Sequence, residues 1–155
     1  MPGIYFEEYQ IGQTFRTPTR TITETDVVYF SAMSGDMNEL HTSEEFAKGS
    51  PFGKRLAQGL LGLSISHGLM FRLGLFDGTG IALLNIDQWK FTAPIFFGDT
   101  IHGIVTVQEK IESKSKPDRG IIHFFVKLVN QDGTVTQEGI QTVMVRRNAS
   151  EGVIA

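Results

Sequence analysis

The 155-residue sequence predicts an α+β fold: a single domain over residues 1–155 in which one long apolar helix is wrapped by a curved antiparallel β-sheet. Three observations predict it. An almost unbroken apolar stretch runs from Ala57 to about Leu75, strand-like segments joined by short turn signals follow it, and shorter capped helical segments precede it.

In chain order, an early strand is expected within Thr14 to Ile22. The segment "TITETDVVYFSAMSG" then reads as a helix opening near Thr23, whose hydroxyl can cap the free amides while Asp26 adds favourable charge to the first turn. Gly35 ends it. Val27, Phe30 and Met33, three apart, form a stripe expected to pack on a sheet. Thr42-Ser43-Glu44-Glu45 reads as a capping box that opens a short helix through Phe46 and Ala47, stopped by Gly49, Ser50 and Pro51. Between the two lies "SGDMNELH", Ser34 to His41, expected to be a loop clamped between capped helices. Such a loop holds side chains more firmly than a free one.

The stretch "AQGLLGLSISHGLMFRLGL" would form a helix roughly 28 Å long at about 1.5 Å per residue. A helix apolar nearly all round is either buried or in a membrane. Gln58, Ser64, Ser66, His67 and Arg72 interrupt this one, so burial is expected. Its glycines, Gly59, Gly62, Gly68 and Gly74, are poor helix formers, and close approach of other backbone would explain them.

The strands come next. "GIALLNIDQWKF" is one, closed by Pro94 and the turn at Gly98-Asp99. In "IHGIVTVQEKI" the residues Ile101, Val105, Val107 and Ile111 share one face, opposite His102, Thr106, Gln108 and Lys110. After a turn at Lys116 to Gly120, "IIHFFVKLVN" places Ile122, Phe124, Val126 and Leu128 in period two. Asp132-Gly133 is a hairpin signal leading into "TVTQEGIQTVMVRR". The last three strands make a meander, and a long apolar helix wrapped by a curled antiparallel sheet is the hot-dog arrangement.

Composition excludes several function classes. Net charge is −3 and basic residues are scattered apart from Lys54-Arg55 and Arg146-Arg147, which argues against a nucleic-acid surface. With no cysteine, disulfides, zinc-thiolate sites and a thiol nucleophile are excluded. The N-terminus lacks the basic and apolar regions of a secretory signal, so a cytoplasmic location is expected. His41, His67, His102 and His123 are too dispersed for a recognisable zinc spacing. Gly62-Leu63-Ser64-Ile65-Ser66 resembles a nucleophile elbow, but Ser66 replaces the last glycine and the segment reads as mid-helix.

The loop carries the chemistry. Adding water across an activated double bond needs one group to take a proton from water and another to give one to carbon, work that suits Asp36 and His41. A thioester oxygen that becomes enolate-like needs a donor. Gln58-Gly59 opens the long helix, where backbone amides are unpaired and the dipole is positive. A plainer reading stands beside this one: Asp and Asn in such loops commonly cap helices, and a lone His is commonly structural.

"FSAMSGDMNELHTSEEFA" resembles the hydratase motif of the MaoC-like dehydratases and R-specific enoyl-CoA hydratases, commonly Ser-Gly-Asp-x-Asn-Pro-Leu-His. The likeness continues in "YFEEYQIGQTF", "RTITETDV", "SPFGKRLAQGLLGLSIS", "FTAPIFFGDTI" and "GIQTVMVRR", in the family's order. It implies that Asp36 and His41 are the catalytic pair, that the Gly59 amide is the oxyanion donor, and that Asn38 braces the loop or contacts the site. It also implies reversible syn hydration of a trans-2-enoyl-CoA to an (R)-3-hydroxyacyl-CoA, no metal or redox cofactor, and a homodimer, or an assembly of dimers, with the acyl chain along the interface. Two departures stand out: Glu39 replaces the usual proline, and Gln58 replaces the usual histidine before the glycine. His67 sits where some members have a serine near the site, which implies a supporting role.

Rival readings are a hydratase for branched or dicarboxylic enoyl-CoA, an acyl-CoA thioesterase on the same fold, and a non-catalytic acyl-CoA binding module. Having both Asp36 and His41 favours hydration. Lys54, Arg55, Lys116, Arg119, Arg146 and Arg147 are candidates for contact with coenzyme A phosphates or, equally, for solvated surface.

Overall fold

The first long helix begins as its sequence predicts. The computed structural model describes residues 3–148, so the two ends of the expected 1–155 unit lie outside the described residues. Within them, α1 (Glu24–Ser34) starts at Thr23, whose hydroxyl accepts from the Asp26 amide while the Asp26 carboxylate accepts from the Thr23 amide. Gly35, at φ 78°, ends it in the left-handed region that glycine enters without steric cost. Val27 and Phe30 are buried but Met33 is 77% exposed. The reason is rotational: steps of three residues at about 100° each drift around the helix, so the buried face is Val27, Phe30 and Ser31 instead.

The predicted loop is in part a helix. α2 (Glu39–Thr42) forms inside it, with the Asn38 carboxamide accepting from the Leu40 amide, and α3 (Glu44–Lys48) follows with Ser43 as its cap. The long helix is shorter than its apolar stretch. α4 (Gly59–Phe71) has 13 residues, about 20 Å at 1.5 Å each. Ala57 is drawn into a bond with the Ile95 carbonyl, Gln58 stays extended at ψ 140°, and at the far end Gly74 turns left-handed at φ 71°.

The strands are β1 (Thr14–Arg16), β2 (Arg20–Thr21), β3 (Gly80–Phe91), β4 (Thr100–Glu112), β5 (Arg119–Val129) and β6 (Val135–Arg146). They pair antiparallel in the order β1-β4-β5-β6-β3, with β2 also on β4. The predicted meander is β4-β5-β6. Ile122, Phe124, Val126 and Leu128 are all fully buried, as their period requires. On β4 the expected face holds for Ile101, Val105 and Val107 but not for Ile111, which is 37% exposed. A bulge between Val107 and Glu109 slips the alternation, so Lys110 faces the inward Ile122 while Ile111 turns out. The Lys110 ammonium then donates to the carbonyls of Tyr9 and Glu7.

The expectation of a curved sheet wrapping the helix is corrected. The sheet is open and not strongly curled, with β1 and β3 as unjoined edges. One layer suffices because α4 buries one side only: Leu61, Ile65, Leu69 and Met70 face inward, while Leu60 and Phe71 are 58% and 44% exposed. Two apolar clusters form between helix and sheet. Met70 joins Tyr9, Phe76, Phe124 and Val145 in one, and Leu61, Ile65 and Leu69 join Ile22, Val27, Phe30 and Leu128 in the other.

Candidate active site

His41 stands on the short α2, and its ring is held from behind. Nδ1 lies 2.7 Å from the Leu56 carbonyl oxygen. A carbonyl can only accept, so Nδ1 carries a proton, which leaves Nε2 as the nitrogen that can exchange one. Nε2 faces Asp36, 3.9 Å from Oδ2. The imidazole side chain is 12% exposed and the Asp36 side chain 43%, so the pair sits at the rim of the fold with the acid on the solvent side. Asp36 Oδ1 accepts from the Asn38 amide, a turn that aims the carboxylate.

His41 and Gly59 line the same cleft, of about 300 Å³, together with Phe52, Leu56, Ala57, Phe91 to Ile95 and Gln137. Gly59 is the first residue of α4, so its amide belongs to the unpaired first turn, where the helix dipole is positive. A β-carbon there would lie 2.9 Å from the Phe91 ring. The cleft thus combines an imidazole nitrogen, a carboxylate reached through it, and an open amide. The arrangement can hold a small polar reactant between two proton-handling groups and face a developing oxyanion with a donor.

Other sequence candidates are placed differently. Asn38 spends its carboxamide oxygen on the Leu40 amide, which makes it the cap that starts the turn of helix under His41. Gln58 is buried away from the cleft: its amide donates to the Val27 carbonyl and the Ser31 hydroxyl on α1, and its Oε1 has no partner. His67 bonds the Gln141 carboxamide at 2.8 Å, two turns along α4, and does not line the cleft. Nor does backbone approach explain the glycines. Gly62 is required by the Gln137 carboxamide, 2.2 Å from where its β-carbon would be, while Gly68 faces open space.

Sequence reasoning missed Phe52, Phe91 and Gln137. Gln137 donates to the Gly59 carbonyl at 3.0 Å and accepts from the Trp89 indole at 3.1 Å, which ties the start of α4 to β6 and β3. Nothing in a strand of alternating residues marks such a contact. Phe91, Ala93 and Pro94 do fall in "FTAPIFFGDTI", one of the segments that carried the resemblance. Of the basic residues, Arg55 pairs with Glu24 and Glu44, Arg119 with Asp118, and Arg147 with Glu7 and Glu112. Lys54 lies 4.4 Å over the Phe96 ring. Among the described residues no group of three His, Asp or Glu side chains is arranged to hold a metal ion, and no helix is long and apolar enough to cross a membrane.

The model of the MaoC like domain matches residues 7–123. The chain belongs to the MaoC-like family. Among its MaoC-like relatives, the (R)-specific enoyl-CoA hydratase of Rhodospirillum rubrum is 34% identical over 142 residues, 91% of each chain. Protein MaoC of Klebsiella aerogenes is 37% identical over 106 residues, 68% of this chain but 31% of its own, so the chain spans about a third of that relative. A monoamine oxidase regulatory protein from Archaeoglobus superposes with a TM-score of 0.88 at 34% identity, covering 96% of this chain and 97% of its own. The likeness establishes the hot-dog-like α+β fold and supports MaoC-like hydratase or dehydratase chemistry in general.

Proposed function

We propose that the chain is an (R)-specific enoyl-CoA hydratase, with Asp36 and His41 as its catalytic pair and the Gly59 amide as its oxyanion donor. The observation that carries this reading is the fixed imidazole. With Nδ1 spent on the Leu56 carbonyl, Nε2 is the nitrogen left to work, 3.9 Å from a carboxylate oxygen. That separation is too long for a hydrogen bond between them and suits one water bonded to both.

The proposed steps use this geometry. Nε2 takes a proton from the water as its oxygen attacks C3 of the enoyl thioester, and Asp36 accepts the second hydrogen bond and steadies the imidazolium. Electron density moves to the thioester oxygen, which the Gly59 amide meets. His41 then returns the proton to C2. One water has added across one double bond, and both residues regain their starting states.

The (R) outcome and the coenzyme A thioester rest on the likeness to the (R)-specific enoyl-CoA hydratase of Rhodospirillum rubrum. Coenzyme A is part of the substrate, and no metal or redox cofactor has a step in the scheme. Two copies pairing along β3 are part of the same proposal, as is a cytoplasmic location. β3 is an unpaired edge that exposes Ile81, Leu83, Leu84 and Phe91, and such an edge invites a second sheet.

The test is loss of enoyl-thioester absorbance with crotonyl-CoA, with chiral analysis of the product. Intact protein should turn over to the (R) product, and Asp36→Asn and His41→Ala should each lose about 10²- to 10⁴-fold while staying folded. Unchanged turnover in either variant, or release of free thiol in place of hydration, would overturn the assignment.

A further inference from the structure

A second cavity lies on the other side of α4, between it and α1. At about 520 Å³ it is larger than the catalytic cleft, and the two share no residue. Leu61, Ile65 and Leu69 of α4 and Phe30 of α1 form its floor, the same side chains that build the core beneath. Its walls are the surplus of α1: Tyr29 and Met33, 72% and 77% exposed, an apolar face that folding leaves uncovered. Ser64 and Gly68 keep the middle of the groove open, and a β-carbon at Gly68 would meet nothing within 4 Å.

The polar lining is unequal in charge. Arg20 is neutralised by Asp26 at 2.6 Å. Arg72, at the end of α4, has no ion pair and no side-chain hydrogen bond among the described residues. Two arginines against one aspartate leave a single positive charge beside an apolar trough. The volume is that of a small-molecule site, about 300 to 1,000 Å³. We propose that this groove binds a free fatty-acid anion, its chain along α1 and α4 and its carboxylate on Arg72. The inference is independent of the hydratase reading, because it uses none of that reading's residues.

Titration of full-length protein with dodecanoate, below its micelle concentration, followed by calorimetry, tests it. One dodecanoate should bind per chain, and crotonyl-CoA should not displace it. Arg72→Gln should weaken binding by about ten- to a hundredfold, the worth of a charge-assisted hydrogen bond. Gly68→Leu, whose β-carbon would meet nothing within 4 Å and whose side chain would enter the trough, should abolish binding with the thermal midpoint and crotonyl-CoA turnover unchanged. Dodecyltrimethylammonium, with the same tail and opposite charge, should not bind. The proposal is overturned if dodecanoate competes with crotonyl-CoA, if both detergents bind alike, or if Gly68→Leu leaves binding intact. It is also overturned if dodecanoate fails to bind, and a changed sedimentation coefficient in Gly68→Leu would then make the face a contact between copies.

Discussion

Replacing Gly59 by alanine separates the oxyanion role from the fold. The added methyl would stand 2.9 Å from Cδ1 and Cε1 of Phe91, closer than carbon atoms pack, so the ring must move. It can, because Phe91 is 54% exposed at the end of an edge strand. Alanine is the better helix former by at most about 1 kcal/mol, and the displaced ring costs a comparable amount, so folding stability should change by less than about 1 kcal/mol. Chemistry should suffer more. Gly59 and Phe91 both line the cleft, so the methyl and the shifted ring should crowd the approach to the Gly59 amide, and an oxyanion donor blocked in this way costs up to about 10²- to 10³-fold in turnover. Crotonyl-CoA hydration and thermal unfolding, measured on the same preparation, read the two effects. A variant that unfolds at the wild-type temperature and keeps more than half its turnover would refute the assignment of the Gly59 amide.

Gln137→Leu removes the bonds to the Gly59 carbonyl and the Trp89 indole; leaving those groups unpaired should cost about 1 to 3 kcal/mol in urea unfolding and also lower turnover. Gly139→Ala would put a β-carbon 2.7 Å from the Trp89 backbone, which cannot swing aside as a ring can, so a loss of about 1 to 3 kcal/mol is expected by thermal unfolding. Asp26→Asn weakens both the α1 cap and the pair with Arg20, costing about 1 kcal/mol at neutral pH. Burial opposes ionisation of Asp26, but bonds from Thr23 and Arg20 outweigh it and hold its carboxyl below the usual aspartate range. Its contribution is therefore present above the unfolded-state value, about 3.9, and fades as pH falls through the lower folded value. The stability gap between wild type and Asp26→Asn should close on acidification below about pH 4; a gap that persists at pH 2 would rule out this linkage.

Local rules were legible where local physics decides. Thr23, Asp26 and Gly35 bound α1 because caps act within a few residues, and Ile122 to Leu128 alternate because a strand has period two. What failed depends on distant partners. α4 starts at Gly59 and not at Ala57 because Ala57 bonds to Ile95 across the fold. The helix was expected to be wrapped because apolar content does not say how many layers will cover it. Ile111 was assigned to the wrong face because a single bulge inverts everything after it. In the site, proximity in sequence put Asp36 near His41, and helix geometry put Gly59 at an unpaired amide. Gln137 and Phe91 reach the same cleft from strands that only the sheet order brings there.

The structure also explains how Gln58 can stand before Gly59 without spoiling the cleft. Its side chain is 1% exposed and turns toward α1, where Val27 and Ser31 receive it. Gln137 then grips the Gly59 carbonyl from the sheet side. The first turn of α4 is thereby held from two directions, by a helix in front and a sheet behind, and neither grip uses the Gly59 amide. The same α1 continues through Gly35 to Asp36, so the bond from Gln58 to Ser31 ties the start of α4, where Gly59 lies, to the helix that leads to Asp36. A glutamine at this position therefore joins α1 to the start of α4 beside the cleft, and its bonds leave the Gly59 amide out.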